Sequence, residues 1–110
     1  MTAKVRVNMF PCENKTEITV TQNDEGDYIV EAKGTCNKAI RFLEGLGPLS
    51  IADLSDKKES KIFKDFVASD MSANCLTLPG VLTAAWVEAG MIARSNARKG
   101  IPLSIEFLED

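Results

Sequence analysis

One hundred and ten residues, 45% apolar and 26% charged, suit a single domain with one core. A net charge of −3 argues against a nucleic-acid or anionic-membrane surface. The absence of histidine removes every catalytic unit built on an imidazole. Three cysteines without an apolar leader point to a cytosolic protein whose thiols are free or metal-bound, not to a disulfide framework.

In residues 4–10, Val5, Val7 and Met9 alternate with Arg6, Asn8 and Phe10, the pattern of a half-buried strand that Pro11 ends. Cys12-Glu13-Asn14-Lys15 connects it to a second alternating run over 16–22, with Ile18 and Val20 on one face. Asn23-Asp24-Glu25-Gly26 is a turn, and Tyr28 to Lys33 returns as a third strand, so 16–33 reads as a hairpin.

Gly34-Thr35-Cys36-Asn37 breaks the strand and opens a short helix carrying Ala39, Ile40, Phe42 and Leu43, which Gly45, Gly47 and Pro48 end. Ser50 to Leu54 reads as a helical turn with Ser50 as its cap and Asp53 at the third helical position. The mixed charges of Asp56-Lys57-Lys58-Glu59 suit a solvated linker or helix start. Ile62, Phe63, Phe66 and Val67 then mark an amphipathic helix over about 60–69.

The longest apolar stretch follows Cys75. Val81, Leu82, Ala85, Trp86, Ala89, Ile92 and Ala93 predict a helix from near Pro79 to about Asn96, with Gly90 inside it as a point of close packing. Its charge-free length is too short to cross a bilayer, which makes it a core helix. Leu103, Ile105 and Phe107 alternate with Ser104 and Glu106 and predict a fourth strand over 103–107. The expected fold is α+β: a three-stranded antiparallel sheet plus a C-terminal strand, with helices on one face and residues 1–110 as one domain. The first and fourth strands lie near the chain ends, and an edge formed there invites pairing into a homodimer.

All three cysteines fall on connectors and none on an apolar stripe. Hairpin geometry brings Cys12 and Cys36 to one end of the sheet, and Cys75 stands ahead of the positive end of a helix dipole. If that helix starts at the same end, three thiolates converge on a site suited to zinc, copper(I) or an iron–sulfur cluster. Glu13, beside Cys12, is the candidate fourth ligand.

Pro11-Cys12-Glu13-Asn14, the run Gly34-Thr35-Cys36-Asn37-Lys38-Ala39-Ile40, and Ala73-Asn74-Cys75 resemble the iron–sulfur cluster scaffold family, the NifU N-terminal or IscU-like domain. The resemblance spans roughly residues 4–97 and implies Cys12, Cys36 and Cys75 as ligands of a cluster or zinc. Two positions depart from the family. Glu13-Asn14 stands where it has Gly-Asp, and Asn74 where it has histidine, so its release and hand-off machinery does not carry over. The function expected is metal or cluster carriage or regulation, without catalytic turnover. The alternatives are a metal-free protein-interaction module of the same fold and a thiol enzyme using Cys36 or Cys75 activated by a helix dipole.

Overall fold

The computed structural model describes residues 2–109. Three strands, β1 (Thr2–Asn8), β2 (Lys15–Gln22) and β3 (Tyr28–Gly34), form an antiparallel sheet in the order β1-β2-β3. Val5 stands opposite Ile18, and Val20 opposite Val30. Because successive side chains point to opposite faces, Ala3, Val7, Ile18, Val20, Tyr28 and Val30 are buried together on one face. Lys4, Arg6, Glu31 and Lys33 share the other face with solvent. The predicted hairpin is present, and Asn23 Oδ1 holds its turn by accepting from the N–H groups of Glu25 and Asp27.

The helices are α1 (Asn37–Glu44), α2 (Ile51–Ser55), α3 (Lys61–Ala68), α4 (Thr77–Glu88) and α5 (Arg94–Ala97). α4 lies across β1 and β2, α1 packs on β3, and α2 and α3 contact α4. Gly80 sets how closely α4 approaches the sheet: a Cβ there would sit 2.5 Å from Val7 Cγ2. The apolar face of the sheet thereby joins Phe42, Leu43, Leu54, Ile62 and Val81 in one core.

Asp53 organises the junction of α2 and α3. Its carboxylate accepts from Ser50 N at 2.9 Å and from Ser50 Oγ at 3.2 Å, the capping box expected at α2. The same carboxylate accepts from Lys61 N, at the start of α3, at 2.9 Å. Its backbone carbonyl takes the hydroxyl of buried Ser60. Partial burial pushes the Asp53 carboxyl up, but the donors from Lys61 and Ser50 together outweigh that effect and hold it below its ordinary value.

Two expectations about the C-terminal half are corrected. The long helix stops at Glu88, because Gly90 adopts φ +81 and is not in a helix interior. Gly90 N bonds the Val87 carbonyl and Met91 N the Trp86 carbonyl, the paired bonds that close a helix through a left-handed residue. Trp86 is 38% exposed and sits at the rim, its Nε1 donating to the Leu54 carbonyl at 2.9 Å. The predicted fourth strand does not form either. Residues 101–109 have no regular secondary structure, and Leu103, Ile105 and Phe107 are 77%, 80% and 80% exposed.

Candidate functional site

Three connectors meet at the Asn8 end of β1. Thr35, after β3, accepts at its hydroxyl from Lys15 N and donates to Asn14 Oδ1, both at 3.0 Å. That joins the β1–β2 loop to the entry of α1. Leu76 N points at Met9 Sδ, 3.2 Å away, and joins the α3–α4 loop to the same end. The loops that carry Cys12, Cys36 and Cys75 are thus fastened to one another by bonds between their neighbours.

The thiols themselves are arranged otherwise. Cys12 is exposed, and Glu13 beside it is an exposed residue at φ 61. Cys36 is the half-buried N-cap of α1 and makes no side-chain capping bond. Cys75 is half-buried and donates its S–H to Thr77 Oγ1 at 3.2 Å, within the first turn of α4. Among the described residues no three His, Cys, Asp or Glu side chains stand together so as to hold a metal ion. This overturns the expected zinc or iron–sulfur site at Cys12, Cys36, Cys75 and Glu13, and with it the metal-carriage function. The physical reason is that loops can be tied at one end of a sheet by backbone and amide groups while their thiols face different surroundings.

At the opposite end, Glu88 gathers the close of α4. Its side chain is 3% exposed, accepts from Gln22 N at 2.8 Å, and pairs with Arg94 Nη2 at 2.6 Å. Arg94 also donates to the Thr2 carbonyl at 3.2 Å, so α5 is pinned to the beginning of β1. The residues after α5 then reach the other end, where the Phe107 ring meets Phe10 edge-on at 6.1 Å between centroids. The C-terminal segment therefore runs from one end of β1 to the other. It leaves Ile101, Leu103, Ile105, Phe107 and Leu108 in solvent.

On the polar face of the sheet, Glu17 lies between Arg6 at 3.1 Å and Lys33 at 3.7 Å. The Arg6 hydrogen bond, with Lys33 and Lys4 nearby, lowers the Glu17 carboxyl despite the opposing desolvation. One carboxylate among these cations leaves this side of the sheet locally positive. No helix among the described residues is long and apolar enough to cross a membrane.

The chain is thus an α+β domain with a free sheet edge and an exposed apolar segment. A model of DUF6951, a family of unknown function, matches residues 3–101, and the chain belongs to that family. No curated protein and no solved structure matches it. The matched span contains every helix and all of the sheet but Thr2, and ends where the apolar segment begins.

Sequence reasoning singled out 103–107 for its alternation but missed that it is the exposed feature. It also missed Glu88 and Arg94 as the pair that launches this segment. A glycine two residues after an acidic helix residue was the available signal, read as helix interior because the apolar spacing continued to Ala93.

Proposed function

We propose that the chain is a protein-interaction module that acts without a resident metal and binds through its C-terminal apolar segment. The supporting observation is the exposure of five large apolar side chains between Ile101 and Leu108. Burying each such side chain is worth about 1.5–3 kcal/mol, and contiguous apolar surface of this kind marks interaction sites. The three free thiols agree with a reducing compartment, and the module is read as cytosolic.

The test is a photo-crosslinking residue placed at Ile105 in the full chain, with the same residue at Glu31 on the polar face as control. Adducts to a defined protein from position 105 alone are expected. No adduct, or equal adducts from both positions, overturns the reading. Metal analysis of protein purified without oxygen is expected to find no stoichiometric metal, and one metal per chain would overturn the metal-free part.

A further inference from the structure

The partner can be named if the interaction-module reading holds. We propose that two copies of this chain exchange C-terminal segments, residues 103–107 of each adding a strand to the β1 edge of the other.

The edge comes first. Met9 N bonds the Asn14 carbonyl at 2.9 Å, which makes that pair a hydrogen-bonded one. Bonded and non-bonded pairs alternate along an antiparallel ladder, so in the observed register Val7, Val5 and Ala3 bond inward to β2. Thr2, Lys4, Arg6 and Asn8 then turn their N–H and C=O groups away from the sheet. Arg94 takes the Thr2 carbonyl, as this phase requires. Lys4, Arg6 and Asn8 are left as an edge with no strand beside it among the described residues. Such an edge is a template for another strand.

The segment matches the edge in side chains and in charge. Set beside β1 with Leu103, Ile105 and Phe107 on the helix-covered face, it continues the apolar row of Ala3, Val5 and Val7. Strand alternation then puts Ser104 and Glu106 on the polar face, where Lys4 and Arg6 stand. Glu106 meets cations there. Direct pairing of β1 with β1 would set Lys4 and Arg6 against their own copies, which is unfavourable. A chain's own segment runs the length of its own β1 and makes no backbone bond to it. A second copy therefore answers both the edge and the segment. Phe107 alone carries about 150–250 Å². Two exchanged segments reach the range of about 1,200–2,000 Å² that stable interfaces bury.

The experiment is sedimentation of the full chain over micromolar concentrations, with amide exchange on the same samples. A dimer is expected, with slowed exchange at Lys4, Arg6 and Asn8. The double substitution Ile105→Glu, Phe107→Glu lies at exposed positions and is expected to give a folded monomer in which those amides exchange fast. Lys4→Glu is expected to weaken the dimer about tenfold, since each charge pair counts twice across it. Adding Glu106→Lys to that variant is expected to restore it. A monomeric wild type, or a dimer that survives the double substitution, overturns the exchange. A monomer with protected β1 amides also overturns it, because the segment then occupies its own edge. A monomer whose position 105 crosslinks to a different protein overturns the exchange and leaves the module reading standing. A monomer with no adduct at all ends both.

Discussion

β2 and the C-terminal segment share one pattern. Thr16, Ile18 and Val20 alternate with Glu17, Thr19 and Thr21 in the first, and Leu103, Ile105 and Phe107 with Ser104 and Glu106 in the second. β2 has β1 on one side, β3 on the other and α4 above it, and its Ile18 and Val20 are completely buried. The C-terminal segment touches Phe10 but pairs with no strand among the described residues, and its apolar residues stand in water. Alternation selects which side chains share a face. Becoming a strand also requires another strand to take the backbone groups.

The comparison breaks most sharply at its buried member. Ile18→Ala is expected to cost about 2–5 kcal/mol in urea unfolding, because it opens a cavity under α4. Ile105→Ala, measured at a concentration where the chain is monomeric, is expected to stay within about 0.5 kcal/mol. Equal costs would mean that the segment is part of the monomer core.

Next in size is the anchor from which the segment starts. Glu88→Ala removes hydrogen bonds from Gln22 N and the Arg94 guanidinium, and is expected to cost about 1.5–3 kcal/mol. It should also free α5 from Thr2, which faster amide exchange over 94–98 would report. Stability loss without that local change would show that Arg94 holds Thr2 unaided.

Asp53→Asn is expected to cost about 1 kcal/mol at neutral pH, the usual worth of a helix cap. The Asp53 carboxyl lies below its ordinary value in the folded chain, so its contribution is present above the ordinary carboxylate range. It is lost as pH falls through the lowered folded value. The gap between wild type and Asp53→Asn in urea midpoint should therefore close on acidification, and a gap that widened would reverse the sign.

The smallest effect is chemical. Exposed Cys12 should alkylate faster than half-buried Cys36 or Cys75, whereas helix dipoles acting at equal exposure would favour the latter two. Competitive labelling at neutral pH reads the order directly. Cys75 labelling first would show that the dipole outweighs its partial burial and its bond to Thr77.

Much of the body was legible residue by residue. Val5 and Val7, and Ile18 and Val20, lie on the face that their alternation indicated, and the Ser50–Asp53 cap opens α2 as its spacing required. The candidate site was legible only as far as its loops. Cys12 and Cys36 lie on connectors at one end of the sheet, as hairpin geometry demands, and bonds from Thr35 tie those connectors together. A metal needs sulfurs placed to within a fraction of an ångström. That depends on loop dihedrals and side-chain rotamers, which residue spacing does not encode.

Neighbours within a few residues were enough to define the hairpin, the inward faces of β1 and β2 and the Ser50 start of α2. Three outcomes had to wait for the folded chain. α4 ends at Glu88, where the carboxylate reaches Gln22 and Arg94 and Gly90 lets the chain turn. Each thiol takes its own surroundings instead of joining the others. The last alternating run stays outside the three-stranded sheet. Each of these outcomes depends on contacts between distant parts of the chain, and a local pattern cannot specify which distant partner arrives.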